Sequence, residues 1–234
     1  MFFRTINDCE EIMIRAVLFD MDGLMFDTER LYGRAWQSAA KAQGCSISDE
    51  AILKIKGANR NLAYSILKED AGSEFDIECG RKFRQEYIDS YLDKNGLTKK
   101  KGLDNLLKYL KDNNIKVCLA TSTKTETAGR YLKMAKVEEH FDDITCGDEI
   151  ERGKPAPDIF LKSAKKLGVK IFDCLVLEDS INGINGGLSA GAHVIMVPDT
   201  IMPDKEISDN VDAVKSDLDE VIEWIKLENG KNKL

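Results

Sequence analysis

A short apolar run constrains the fold most: Ala16-Val17-Leu18-Phe19 ends on Asp20, and a second acid, Asp22, follows two residues later. Such a run is typical of a strand covered on both faces, as in a parallel α/β sheet. Ligands of these sheets bind beyond the carboxyl ends of the strands, so we expect Asp20 at a binding edge. Two ionised acids this close repel each other, which predicts a divalent metal or a division of labour between nucleophile and acid/base. A plain turn at Asp22-Gly23, capped by Asp20, is the structural alternative.

Composition favours a globular protein with a full core, because 43% of the 234 residues are hydrophobic. The 41 acidic residues outnumber the 34 basic ones, which disfavours nucleic acid or an anionic membrane as the main partner. No apolar run reaches transmembrane length, and charges interrupt the N-terminal segment, so we expect neither a membrane span nor a signal peptide. The six cysteines form no C-x-x-C pair, which favours reduced thiols and a cytoplasmic protein. We also expect a monomer.

The hydrophobic pattern changes twice beyond the first strand. Residues 28–96 show helical periodicity and predict an all-helical insertion. Residues 97–234 alternate helices with short apolar strands, which predicts right-handed crossovers. The expected fold class is therefore α/β, with a doubly wound, Rossmann-like parallel-sheet core (1–27 and 97–234) and an inserted α-helical cap (28–96). The expected later strands are 116–120, 143–145, 174–177, 193–197 and 212–214, and the last cap helix is expected over 74–93.

Three later strand ends carry polar groups toward the same edge. Thr121-Ser122-Thr123-Lys124 offers hydroxyls and backbone amides before a helix, which is a natural anion cradle, although a simple helix cap is an equally good interpretation. Lys154 stands in a loop stiffened by two prolines, although an isolated lysine is usually a surface residue. Glu178-Asp179 ends another apolar strand, and Asp179 can bind the same metal as Asp20.

Together and in this order, the four segments resemble the haloacid dehalogenase-like superfamily of phosphotransferases, in particular the subgroup with a helical cap. The matching motifs are Asp20-x-Asp22-Gly-x-x-x-Asp-Thr, Thr121-Ser122-Thr123-Lys124, Lys154-Pro-x-Pro and Glu178-Asp179-Ser180. The resemblance implies that Asp20 is a nucleophile that becomes an aspartyl-phosphate. It also implies that Asp22 protonates the leaving oxygen and later activates water.

The same resemblance implies the remaining roles and an Mg²⁺ cofactor. Thr121 and the Ser122 amide would bind the phosphoryl group, and Lys154 would neutralise the nucleophile and the phosphate. The implied metal set is Asp20, Asp22 through its main-chain carbonyl, Asp179, and Glu178 through a water. Independently of the resemblance, phosphoryl transfer needs a nucleophile, charge neutralisation and a general acid, which these residue types supply.

Individual residues indicate which of the superfamily's reactions the chain is expected to catalyse. Dehalogenases and phosphonate-cleaving members of the superfamily lack the second aspartate, so Asp22 indicates phosphate esters. The β-phosphoglucomutases are similar and share the sequence motif at 154–160. Their cap histidine would align with Tyr32, which is a difference. Their phosphate-binding cap arginine would align with Arg60, which is an agreement. Tyr32 and Arg60 are therefore the candidate substrate contacts of the cap.

We expect a Mg²⁺-dependent phosphatase of small phosphorylated metabolites, sugar phosphates above all, with a β-phosphoglucomutase-type mutase as the alternative. Two further alternatives are a phosphate-binding protein without turnover and a purely structural α/β protein. Both are disfavoured, because every catalytic position holds a competent residue and a structural protein would leave the acids at the strand ends without purpose.

Overall fold

A computed structural model describes residues 13–55 and 60–231, without the side chains of Arg60 and Asn61. The first residues of the predicted core segment, 1–12, and the expected substrate contact from the Arg60 side chain therefore lie outside the described residues.

Six strands and ten α-helices form the described part of the chain. The strands are β1 (Ala16–Phe19), β2 (Lys116–Thr121), β3 (Asp143–Cys146), β4 (Cys174–Glu178), β5 (His193–Met196) and β6 (Ala213–Val214). The helices are α1 (Glu29–Ala42), α2 (Asp49–Ile55), α3 (Arg60–Ala71), α4 (Ile77–Asn95), α5 (Leu103–Asp112), α6 (Thr125–Ala135), α7 (Asp158–Leu167), α8 (Ile181–Ala190), α9 (Lys205–Asn210) and α10 (Leu218–Lys231).

The strands form one parallel sheet in the order β3-β2-β1-β4-β5-β6. Because β1 lies between β2 and β4, Phe19 is in register with both Leu119 and Leu177. The chain builds the sheet outward from β1 first to one side and then to the other, which makes the carboxyl end of β1 the topological switch point. The predicted doubly wound parallel α/β fold is confirmed.

The strand β1 is buried on both faces, as its apolar run predicts. Val17 and Phe19 belong to one hydrophobic cluster, whereas Ala16 and Leu18 belong to another. This alternation follows from the two-residue period of a strand, which sends successive side chains to opposite faces. Because β1 packs into a hydrophobic cluster on each face of the sheet, the position of its carboxyl end is fixed.

The helices α1–α4, called the helical insertion below, follow β1 without an intervening strand in the residues described. They have a small hydrophobic cluster of their own, which includes Trp36, Leu67 and Phe75. The structure is consistent with the all-helical character expected here, whereas the domain boundaries at 28 and 96 stay a prediction.

The last helix of the insertion begins later than the sequence predicts. The apolar pattern predicts a helix over 74–93, whereas α4 spans Ile77–Asn95. The cause is Asp76, whose side chain accepts hydrogen bonds from the backbone amides of Glu78 and Cys79 and so caps the helix.

None of the helices in the described part is long and apolar enough to cross a membrane. The five cysteines within the described ranges are free thiols.

Candidate active site

The polar residues at the strand ends meet at one edge of the sheet around a cavity of about 210 Å³. Asp20 follows β1, Thr121 ends β2, and Lys154 reaches the same place from the loop before α7. The predicted residues that line this cavity are Asp20, Asp22, Tyr32, Thr121, Ser122, Lys154 and Asp179. Glu178 lies behind the cavity wall, fully buried, and is linked to it by Lys154.

Lys154 is the central cation of the site and is only 8% exposed. Its Nζ donates hydrogen bonds to Asp20 Oδ1 at 2.5 Å, to Glu178 Oε1 at 2.6 Å and to the Ala120 carbonyl at 2.9 Å. These three acceptors match the three donors of an ammonium group. Burial acts to lower the pKa of Lys154, but the attraction of Asp20 and Glu178 outweighs it and raises that pKa above its usual value. Lys154 is therefore a fixed positive charge beside Asp20.

Acids outnumber cations in this cluster. Asp20, Glu178 and Asp179 each offer a carboxylate oxygen, and these atoms lie within 4.8 Å of one another. Burial raises the pKa of Asp20 to about 8, with further contributions from Glu178 and Asp22, although Lys154 opposes them. Burial and the neighbouring acids also raise the pKa of Asp179 well above its usual value.

The donor set therefore fits a hard divalent cation such as Mg²⁺, which prefers carboxylate oxygens and would offset the excess negative charge. The Asp22 carboxylate does not belong to this group of oxygens. Its main-chain carbonyl as a metal ligand stays a prediction.

The Asp22 carboxylate is held from two sides. Thr28 Oγ1 donates to Oδ1 at 2.6 Å, and Thr123 Oγ1 donates to Oδ2 at 2.6 Å. Both oxygens of the Asp22 carboxyl group therefore have a hydrogen-bond partner. Thr28 precedes the helical insertion and Thr123 follows β2, so the two hydroxyls orient Asp22 between the insertion and the core. Sequence reasoning did not assign these contacts, although Thr28 stands in the first motif.

The loop after β2 forms the side of the cavity that was predicted to bind phosphate. Thr121 Oγ1 accepts a hydrogen bond from the Thr123 amide at 3.1 Å. Gly147 allows this loop to pass closely, because a Cβ at that position would lie 2.2 Å from the Ser122 carbonyl oxygen. The phosphate-binding roles of Thr121 and Ser122 stay predictions, supported by their place at the cavity.

Two glycines let the acids approach the backbone. Gly23 has a φ of +89°, and a Cβ there would lie 2.1 Å from Asp179 Oδ2. A Cβ at Gly183 would lie 1.9 Å from Glu178 Oε1. Both Glu178 and Asp179 are thus positioned against backbone that tolerates no side chain.

We expect Gly23→Ala to raise the Mg²⁺ concentration needed for half-maximal activity by at least about tenfold, because the added methyl displaces Asp179. Titration of phosphate release against Mg²⁺ measures this. Gly72→Ala is the matched control, since Gly72 also has a positive φ (+94°) but would place its Cβ in open space. Equal Mg²⁺ requirements in the two variants would contradict the prediction.

We expect Lys154→Met to lower the free energy of unfolding by about 3–5 kcal/mol in EDTA at neutral pH, because it leaves buried acids without their cation. Urea unfolding measures the loss, and added Mg²⁺ should recover part of it. Lys108→Met, which removes an exposed pair with Asp112, is the control and should cost much less. If Lys154→Met lowers the free energy of unfolding no more than the control does, Lys154 is not the cation that balances the buried acids.

Tyr32 lies where α1 meets the core. Its hydroxyl is 3.2 Å from the Tyr131 hydroxyl, to which it donates a hydrogen bond, and the Arg84 guanidinium lies 4.5 Å from the centre of its ring. Burial, and then the nearby Asp22, raises the pKa of Tyr32 well above its usual value, so the phenol is neutral at neutral pH. Its predicted contact with substrate stays a prediction.

Comparison with known proteins agrees with this geometry. Residues 17–197 match the family model described as haloacid dehalogenase-like hydrolase. The chain is 35% identical over 199 residues to the Drosophila melanogaster protein named "Probable pseudouridine-5'-phosphatase", covering 82% of this chain and 84% of that protein. It is 32% identical over 182 residues to the phosphorylated carbohydrates phosphatase of Thermotoga maritima, covering 78% and 84%.

A solved structure extends the similarity to three dimensions. The β-phosphoglucomutase of Clostridium difficile superposes with a TM-score of 0.77 at 27% identity, covering 94% of this chain and 99% of that one. The family expected from the motifs is thus confirmed by sequence and by fold. The chain therefore belongs to the haloacid dehalogenase-like hydrolase family, as one of its phosphatases.

Proposed function

We propose that this phosphatase is Mg²⁺-dependent, acts on small phosphorylated metabolites, sugar phosphates above all, and works through an aspartyl-phosphate on Asp20. One observation carries the proposal: the buried Asp20 carboxylate faces a cavity of about 210 Å³ while Lys154 holds its Oδ1 at 2.5 Å. A carboxylate fixed in this way can act as a nucleophile, because its charge is oriented and partly neutralised before substrate arrives. We further propose that the protein is a cytoplasmic monomer.

In the first chemical step, a carboxylate oxygen of Asp20 attacks phosphorus, and the bond from phosphorus to the leaving oxygen breaks. Asp22 gives that oxygen its proton as the bond breaks. In the second step, Asp22 takes a proton from a water that attacks the same phosphorus and frees Asp20. Thr28 and Thr123 orient Asp22 through hydrogen bonds of 2.6 Å each.

The cations of the site neutralise the phosphoryl oxygens during both steps. Lys154 provides a fixed charge, and Thr121 and the Ser122 amide provide hydrogen-bond donors at the cavity wall. Mg²⁺, held by Asp20, Asp179, the Asp22 carbonyl and, through water, Glu178, would supply the remaining positive charge.

The names of the relatives support small phosphorylated substrates. The Thermotoga maritima relative is named for phosphorylated carbohydrates, and an Escherichia coli relative, 30% identical over 184 residues, is named hexitol phosphatase A. A screen of phosphate release over sugar phosphates, phosphoglycolate and nucleotides, with Mg²⁺ or EDTA, tests the proposal. No Mg²⁺-dependent release from any member of the panel would overturn it.

A phosphosugar mutase is the second candidate, because the fold superposes on a β-phosphoglucomutase. We expect the aspartyl-phosphate to hydrolyse promptly instead. A mutase must keep water from its phosphoenzyme, and a neutral Tyr32 phenol is a poorer partner for restraining the general acid than an imidazole. Phosphate release and conversion of β-glucose 1-phosphate to glucose 6-phosphate are measured side by side. Isomerisation well above the rate of phosphate release would make the mutase assignment correct.

A further inference from the structure

A second cavity, of about 570 Å³, adjoins the proposed active site between the helical insertion and the core. The two cavities share four lining residues, Glu29, Tyr32, Ser122 and Thr123. A substrate whose phosphoryl group meets Asp20 can therefore extend its leaving part into this space. Aromatic and aliphatic side chains form much of the wall, among them Trp36, Tyr64 and Ile88.

Arg84, on α4, reaches this cavity, and its guanidinium lies over two aromatic rings. It lies 4.5 Å from the centre of the Tyr32 ring and 5.4 Å from the centre of the Trp36 ring. Cation–π contacts at these distances hold a guanidinium without using its N–H donors, since those donors lie in its plane. The cation is thus pre-organised, and its donors remain available.

The Arg84 side chain has one buried donor that lacks a partner within the described part of the chain. Its Nε is buried and has no hydrogen-bond acceptor among residues 13–55 and 60–231. Within those ranges, Arg84 also forms no ion pair, whereas Arg81, one turn earlier on α4, pairs with Glu78 at 3.1 Å. A buried donor without an acceptor costs free energy, and so does a partly buried charge without a counter-charge. A ligand that supplies both would remove these costs.

The charge of the cavity points to the chemistry of that ligand. Among the described residues, four cations line it, Arg81, Lys82, Arg84 and Lys124, against one acid, Glu29. The part of the substrate that occupies this space therefore meets an excess of positive charge.

We propose that Arg84 determines substrate specificity by binding a second anionic group, a phosphate or a carboxylate, on the leaving part of the substrate. The inference rests on the proposed function, because it assumes that the transferred phosphoryl group lies at Asp20. A guanidinium can form two parallel hydrogen bonds to either anion, and this geometry distinguishes an anion from a hydroxyl. Preferred substrates would then be bisphosphorylated or carboxylated metabolites, not simple monophosphates.

The test compares substrate pairs that differ in one anionic group: fructose 1,6-bisphosphate with fructose 6-phosphate, and 3-phosphoglycerate with glycerol 3-phosphate. In the parent, we expect a higher kcat/KM for the member of at least one pair that carries the extra anion. Arg84→Gln should lower that preference at least about tenfold, mainly through KM. Arg84→Lys keeps the charge but loses the two parallel N–H donors of the guanidinium, so it should lower this preference less. Arg34→Gln is the matched control, because Arg34 also lies over an aromatic ring, that of Tyr91 at 5.5 Å, but lines neither cavity. It should keep a preference close to that of the parent.

Binding is measured separately, so that the inference does not depend on turnover. Isothermal titration is performed on Asp20→Asn with and without Arg84→Gln. Arg84→Gln should weaken binding of the doubly anionic compound about as much as it raises KM in the kinetic test. Absence of phosphate release from all four compounds and from every member of the wider panel would overturn the proposed function, while the titrations would still decide the role of Arg84.

Three outcomes would overturn the role of Arg84. The first is that neither pair shows a preference for the extra anion in the Asp20→Asn background. The second is that Arg84→Gln loses the same affinity for both members of a pair. The third concerns a further pair, uridine 5′-monophosphate and ribose 5-phosphate: a loss of affinity in Arg84→Gln that is confined to uridine 5′-monophosphate. The last result would assign Arg84 to a neutral base instead. Circular dichroism and thermal unfolding check that Arg84→Gln folds, and Arg84→Lys supplies the comparison if it does not.

Discussion

Asp20→Asn is expected to lower the rate of phosphate release by at least about four orders of magnitude while the fold stays intact. The amide has nearly the same shape as the carboxylate, but it cannot attack phosphorus. Lys154 keeps two of its acceptors, Glu178 and the Ala120 carbonyl, so the site should not collapse. Release is measured on the best substrate of the screen, and circular dichroism monitors the fold. Activity within tenfold of the parent would show that Asp20 is not the nucleophile.

The pH dependence of stability supplies an independent check on the same residue. Burial raises the pKa of Asp20 to about 8 in the folded protein without metal, from an ordinary value of 3.8. The folded state therefore holds a proton that the unfolded state releases, and the stability from this group is present below the unfolded pKa and lost as the pH rises toward the folded pKa. In EDTA, urea unfolding of Asp20→Asn should show a smaller fall in stability over that range than the parent. Parallel pH profiles would contradict the environment described for Asp20.

Asp22→Asn is expected to slow turnover of alkyl phosphates by about two to four orders of magnitude, because the leaving alkoxide loses its proton donor. The loss should be smaller in the first step for p-nitrophenyl phosphate, whose leaving group needs little protonation. Since the second step still lacks its base, the phosphoenzyme should accumulate and give a burst of p-nitrophenol followed by slow phosphate release. Rapid-mixing kinetics with both substrate types measure these effects.

Asp27→Asn is the matched control for this prediction. Asp27 stands on the same connection to α1, but it does not line the active-site cavity. An equal loss with alkyl and p-nitrophenyl phosphates in Asp22→Asn, without a burst, would remove the acid/base role and leave Asp22 as a structural residue.

Local sequence predicted the elements well where the pattern itself has a physical period. The buried strand β1 and the parallel α/β sheet follow from apolar runs and from the alternation of helical and strand spacing. The start of α4 was missed, because it depends on the Asp76 cap rather than on the apolar pattern. The meeting of the strand ends also followed from sequence, since the carboxyl ends of parallel strands share one edge of a sheet.

Side-chain partners across the sheet were decided only by the tertiary structure. Lys154 and Asp20 are 134 positions apart, yet they form a contact of 2.5 Å. Thr123 reaches Asp22 over 101 positions, and no periodic signal in a sequence marks such a pair. The sequence by itself determined which chemical groups stand at the strand ends. The fold decided which of them touch, and it placed Arg84 over the rings of Tyr32 and Trp36 at the adjoining cavity, because such contacts depend on packing between distant elements.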